Sequence, residues 1–220
     1  AVMKEVAKKL PQYEFQFVPT SDDDLLIGVE SGKYDIGTKG AWKTPAREKK
    51  YIFPKNNIAA SVIGVTIRKE DANTIKNLDD FAKAGKKLVP IAPQNAQYQV
   101  IEDYNAAHPD HPVKLEASEN FQVADAYTWV LEGRYDGYFS IELAYKKNVE
   151  APDAPYKDFK DKLSYFRYKA IPTYTVINKN DKELAEQVDK ALGELKQEGK
   201  IAELENKYFG EEVSKLIDVK

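Results

Sequence analysis

Residues 21–54 read SDDDLLIGVESGKYDIGTKGAWKTPAREKKYIFP, and the order of signals within them decides the class of fold. Ser21, with Asp22, Asp23 and Asp24 behind it, predicts a helix start, because a serine oxygen satisfies an orphaned amide and acidic side chains complement the positive end of a helix. Gly32 predicts the end of that helix. The run YDIGT at 34–38 then reads as a strand and KGAWK at 39–43 as the loop beyond it, with Arg47 standing just past the loop.

Ahead of this stretch, Val2, Met3, Val6, Ala7 and Leu10 recur at helical spacing. YEFQFVPT at 13–20 follows, alternating Tyr13, Phe15 and Phe17 with polar neighbours as a strand covered on one face would. The first fifty residues thus read helix, strand, helix, strand, the alternation of a parallel α/β sheet. Because the chain opens inside a helical pattern, Ala1 is expected to lie within the mature domain, with a first strand missing ahead of it. Downstream, SVIGVTIRK (61–69), KLVPIA (87–92) and VKLEA (113–117) read as strands, and 95–106 and 121–132 as helices. The stretch 150–159, with its prolines, reads as a surface loop. Leu184, Val188, Leu192 and Leu195 mark a long helix from about 181 that Asn180 is placed to cap, and Gly199 separates it from a second helix ending at Gly210. ESGKYDIGT (30–38) and LEGRYDGYFS (131–140) repeat one joint of helix end, glycine, basic residue, Tyr-Asp and strand, which points to two similar lobes.

Composition narrows the function. A chain of 220 residues falls between one large domain and two small lobes. Basic and acidic residues, 33 and 36, are interspersed and give a net charge of −3, so there is no basic face for nucleic acid. No apolar run reaches the length of a membrane span. Cysteine is absent, which excludes disulfides and thiolate metal sites and is compatible with an oxidising compartment.

His108 and His111, in AHPDHPV (107–113), sit among prolines with no cysteine and no carboxylate pattern typical of zinc, so they read as a turn and no metal is expected. The familiar sequence motifs of hydrolases, nucleotide-binding loops and helical zinc enzymes are missing. Arginine is scarce: only Arg47, Arg68, Arg134 and Arg167 occur, so a planar two-pronged donor just past a strand end fits the fixing of a carboxylate. Ligands of open α/β sheets bind in the loops beyond the carboxyl ends of strands. There Gly40 would allow close backbone approach and Trp42 a flat wall, although Arg47 alone would read as a surface ion pair and Trp42 alone as a core aromatic. APQNAQY (92–98) is a further candidate, where a strand gives way to a helix whose free amides can hold an anion.

With these residues in view, the whole chain resembles the amino-acid-binding extracellular solute-binding proteins of ABC importers, bacterial family 3, with the type II periplasmic-binding fold. The resemblance rests on the helix, "sGkyD", strand, glycine loop and "TPeR" order of residues 25–54 and on the ending NKNDKELAEQVDKALGELKQEGKIAELENKYFG (178–210). DDLLIGVESGKY, LVPIAPQNAQY and EGRYD are similar to the subgroup that binds L-cystine and related sulfur-containing amino acids.

The resemblance implies an α/β fold of two Rossmann-like lobes joined by a two-strand hinge: 1–61 with 171–220, and 62–170. It implies a non-catalytic receptor that closes on an amino acid and presents it to the membrane subunits of an ABC transporter. No cofactor is implied. Placement outside the cytoplasm is, with a lipid anchor on the membrane of a Gram-positive bacterium beyond this chain. Arg47 matches the position that clamps the ligand α-carboxylate, Gly40 and Trp42 those that meet the α-amino group and line the pocket, and Asn95 and Ala96 the helix amides that take the carboxylate's second contact. Lys39, Gln94, Ser140 and Glu142 complete the implied ligand-binding set. The acidic residue that usually receives the ligand ammonium matches Ile141, and Glu142, one residue on along a strand, would face the other way. A dehydratase on the same fold, or the ligand-sensing domain of a signalling receptor, are the alternatives.

Overall fold

The structure is a computed structural model that describes residues 1–93, 95–118 and 123–217. In chain order its helices and strands are α1 (Val2–Lys9), α2 (Asp22–Ser31), β1 (Ile36–Trp42), α3 (Pro45–Glu48), β2 (Tyr51–Ile52), β3 (Ala59–Arg68), α4 (Leu78–Lys83), α5 (Ala96–Ala107), α6 (Val123–Leu131), β4 (Gly137–Ile141), α7 (Glu142–Tyr145), β5 (Leu163–Asn178), α8 (Lys182–Gln197) and α9 (Lys200–Phe209). The chain divides into two compact units, Ala1–Ser61 with Ala170–Lys220, and Val62–Lys169. It passes from one to the other within β3 and again within β5. Among the described residues no helix is long and apolar enough to cross a membrane.

In the first unit, β5 sends successive side chains to opposite faces, as a strand must. Ile177 joins Met3 and Val6 of α1, Leu10 just past its end, and Val188, Leu192 and Leu195 of α8 in one core, while Val176 joins Val29, Ala41 and Tyr51 in another under α2. Burial of these side chains contributes about 1.5–3 kcal/mol apiece. α2 forms as its sequence predicts: the Ser21 hydroxyl accepts from the Asp24 amide at 3.2 Å, and Gly32 ends the helix at φ 81. It lies so close to β1 that a side chain at Gly37 would collide with Leu25 and press on Val29 and Val176. Asn178, buried, ties the layers together by donating to the Val29 carbonyl at 2.6 Å and accepting from the Asn180 amide at 2.9 Å. Asn180 is thereby not the cap of α8; Asp181 holds that position, without a side-chain bond.

Two other expectations fail in this unit. Residues 13–20 form no strand. Alternation supplies a face but not a partner ladder, and among the described residues none runs beside them; Phe15 packs against the helical core while Phe17 stacks on it at 6.4 Å and stays half exposed. Residues 39–42 are not a loop but the end of β1. β1 pairs antiparallel with β5 as Gly37↔Val176 and then Ala41↔Tyr174, so a bulge absorbs the extra residues, and Gly40 takes φ +74 there. Glycine is the residue that adopts such a backbone without strain.

In the second unit β3 pairs antiparallel with β4, from Ile63↔Ile141 to Ile67↔Gly137. Among the described residues the expected parallel sheet survives as bridges, Lys87↔Lys114, Leu88↔Gly137 and Ile91↔Ala117, with α5 as the crossover between 87–92 and 113–117. Pro90 has no amide to give to a ladder there, which keeps the pairing short. The repeated joint is repeated in structure: Gly32 and Gly133 have φ +81 and +75, the Tyr34 amide reaches back to the Gly28 carbonyl at 3.0 Å, and the Tyr135 amide reaches Trp129 at 3.3 Å. The core of this unit is rich in tyrosine, with Tyr127, Tyr135 and Tyr145 packed among Val89, Val130 and Leu163.

Candidate functional site

Arg47 is placed by the short helix after β1. Thr44 caps α3, its hydroxyl accepting from the Arg47 amide at 3.3 Å, and Pro45 in the first turn is preset for the helical backbone. The guanidinium then folds back and donates through Nη1 to the Trp42 carbonyl at 2.9 Å. The main chain of Arg47 is therefore pinned to Thr44 and its side chain to Trp42 at the end of β1, in a half-buried position.

The other arginines are engaged differently. Arg68 pairs with Asp71 at 3.0 Å and Asp136 at 2.9 Å, Arg167 with Glu142 at 2.7 Å, and Arg134 lies over the Trp129 ring at 4.5 Å. Among the described residues Arg47 has no carboxylate within ion-pair distance; its neighbour Glu48 is held by Lys43 at 2.9 Å. Burial and the Glu30 charge raise the Tyr51 hydroxyl above its ordinary pKa, with the positive charges of Lys50 and Arg47 pulling against them. What the end of β1 offers is a fixed guanidinium with donors left for an outside anion.

The remaining predicted residues of the first unit lie on β1. Gly40 sits in the bulge, with Thr173 beside the space a side chain would fill, at 3.5 Å. Trp42 is 8% exposed, so its indole is a core side chain and its carbonyl is the part that meets Arg47. Lys39 pairs with Asp22 at 3.1 Å.

In the second unit Asn95 caps α5, its side-chain oxygen accepting from the Gln97 amide at 3.1 Å, and Ala96 opens the helix. Gln94 lies outside the described residues. Ser140 is buried in β4; its hydroxyl has no hydrogen-bond partner among the described residues, while its carbonyl accepts from the Tyr165 hydroxyl at 2.8 Å. Burial pushes the Tyr165 hydroxyl far up in pKa, so it stays a donor.

Glu142 is not on a strand: β4 stops at Ile141, and Glu142 begins α7. Its oxygens accept from Arg167 at 2.7 and 2.9 Å and from Lys146 at 3.2 Å. This carboxylate is already neutralised by two cations: Lys146 stands four residues on, a spacing the sequence shows, whereas no local pattern around ELAY announces Arg167. It lines a cleft of about 300 Å³ within the unit, where Glu150 and Asp161 face Lys69, Lys146 and Lys160.

The histidines also have a partner the sequence reading missed. Asp79, far earlier in the chain on α4, places Oδ1 2.6 Å from His111 Nε2. The turn itself is present, closed by the His111 amide on the His108 carbonyl at 3.2 Å.

Comparison with known proteins bears on the family and the fold. The sequence profile of the bacterial extracellular solute-binding proteins, family 3, matches residues 1–211. The L-cystine-binding protein TcyJ of Bacillus subtilis (strain 168) is 28% identical over 97% of this chain and 76% of its own length. The crystal structure of the probable amino-acid ABC transporter extracellular-binding protein ytmK from Bacillus subtilis superposes with a TM-score of 0.75 at 24% identity, covering 95% of this chain and 85% of that one. A structure from work on glutathione import through GshT and the cystine ABC importer TcyBC of Streptococcus mutans gives a TM-score of 0.66 at 23% identity, covering 96% and 86%. With a profile match over nearly its whole length, and with the two α/β units described above, the chain belongs to the bacterial extracellular solute-binding proteins of family 3.

Proposed function

We propose that this chain is the extracellular receptor of an ABC importer, capturing a polar amino acid by closure of its two units and delivering it to the transporter's membrane subunits. The ligand class we favour is L-cystine or a related sulfur-containing amino acid. Membership of family 3 supports receptor and partner, and the likeness to TcyJ supports the ligand class.

One observation carries the reading: a scarce arginine, its main chain fixed by Thr44 and its side chain by the close of β1, meets no carboxylate among the described residues. In this reading Arg47 grips the ligand α-carboxylate with two parallel bonds, beside backbone freed by Gly40, and the amides that open α5 at Asn95 and Ala96 supply a second contact. Ile141 cannot receive an ammonium and Glu142 is spent on Arg167 and Lys146, so carbonyl and hydroxyl groups take the ligand's amino end. The chain acts as a non-catalytic receptor, held by a lipid anchor to the outer face of a Gram-positive membrane. Binding that favours the closed form would drive closure.

The test is a thermal-shift panel with L-cystine, other sulfur amino acids, glutathione, glutamine and arginine, since a ligand that binds only the folded state raises its melting point. A rise with L-cystine or a related sulfur compound, absent in Arg47→Ala, is expected. A flat panel sinks the receptor reading, and a rise confined to arginine or glutamine sinks the ligand class.

A further inference from the structure

Outside the residues around Arg47, one group of side chains in the second unit has the make-up of a metal site. Asp79 lies in the first turn of α4, His108 closes α5, and His111 follows across the turn. One ligand atom from each lies within 4.8 Å of the others, and all three residues are half-buried.

The surroundings orient these groups. His108 Nδ1 is 2.9 Å from the Tyr104 carbonyl, which can only accept, so that nitrogen carries a proton and in the neutral ring Nε2 is the one with the lone pair. The His108 ring is further held by stacking on Tyr104 at 4.1 Å. A ring nitrogen donating to a backbone carbonyl is the outer arrangement that fixes the tautomer of metal-binding histidines and raises the basicity of the other nitrogen. Lys83 takes the second oxygen of Asp79 at 2.6 Å and leaves Oδ1 turned toward His111.

We propose that Asp79, His108 and His111 form a site for a borderline divalent cation of the zinc class, tying α4 to the end of α5. Two imidazoles and one carboxylate are a donor set such ions accept, and three protein ligands leave a coordination position for water. The cation takes the place of the Nε2 proton that His111 now donates to Asp79; a neutral ring takes a proton up at Nδ1 as it gives that one up, and a protonated ring releases it to solvent, so His111 binds as a neutral imidazole either way. Their 2.6 Å approach then widens, because ligands about 2.0–2.2 Å from one tetrahedral ion stand about 3.3 Å apart. The site is independent of Arg47 and of the amino-acid ligand.

The test is a calorimetric titration of the full chain, stripped by a chelator, with zinc chloride alone. One equivalent should bind, at least tenfold more weakly in His108→Ala and in Asp79→Asn, and zinc should raise the melting point of the unmodified protein but not of His111→Ala. The chain has two histidines, so in the unmodified protein both sets of ring proton signals should move as zinc is added, a readout that needs no variant. Equal zinc affinity in the variants, histidine signals that stay put at saturating zinc, or no stoichiometric binding would each overturn the site.

Discussion

At the end of β1, Arg47 donates to the Trp42 carbonyl at 2.9 Å and meets no carboxylate among the described residues; at the end of β4, Glu142 takes two bonds from Arg167, at 2.7 and 2.9 Å, and a third from Lys146. Similar joints lead into the two strands, each through a left-handed glycine and a Tyr-Asp pair. The same architecture therefore ends once in a charge the fold fixes but leaves unneutralised, and once in a charge the fold neutralises itself. A held, uncompensated guanidinium is poised for a partner from outside, whereas a carboxylate forked by arginine is a structural tie.

The largest expected effect falls on the first of these ends. Arg47→Ala should weaken L-cystine binding by about 30-fold or more, since losing one partner of a charge-assisted pair costs about 2–5 kcal/mol, while leaving the unfolding midpoint in urea almost unchanged. Arg47→Lys should restore little, because a point charge lacks the fork. Calorimetry that found either variant binding normally would erase the contrast.

Thr44→Ala comes next. Losing the cap should cost about 1 kcal/mol of stability and, by loosening the Arg47 main chain, weaken ligand binding several-fold. If stability falls and affinity does not, Arg47 is held by Trp42 alone.

On the other side, Glu142→Gln should leave ligand affinity within about twofold, and a double-mutant cycle with Arg167→Met should give a coupling of about 1 kcal/mol or less, because the Arg167 side chain is 39% exposed. A large affinity loss in Glu142→Gln would move Glu142 from tie to ligand contact.

The smallest effect concerns acid. Burial would raise the Asp136 carboxyl, but the Lys87 amide and the Arg68 guanidinium outweigh it and hold its pKa below the usual value. A depressed folded-state pKa contributes stability that is present above the unfolded value, about 3.9, and is lost as pH falls through the folded one. Asp136→Asn should therefore lose less stability than the unmodified protein on acidification below about pH 4, measured as urea midpoints. Among the described residues Arg47 has no acid partner, and Arg47→Ala should keep the unmodified profile of stability on acidification.

The sequence carried the parts of this picture that rest on neighbours along the chain. Ser21, Gly32, the α8 apolar stripe and the repeated joint are all local signals, and the structure has each of them. Misreadings came where the deciding partner was distant. Alternation in 13–20 could not say that no ladder stands beside it, and KGAWK gave no sign that opposite β5 it would bulge and stay a strand. Nothing in SIELAY foretold Arg167, and AHPDHP could not show Asp79 on another helix. Thr44 was legible in hindsight: a threonine before proline is a helix-start signature, and it is what aims Arg47.

The chain's two tryptophans fall one to each unit. Trp42 is the residue whose carbonyl anchors Arg47, and Trp129 lies under the Arg134 cation. Replacing Trp129 with phenylalanine would leave a single indole fluorophore at the arginine end of β1, so that emission from the protein would report events at that anchor with no labelling chemistry.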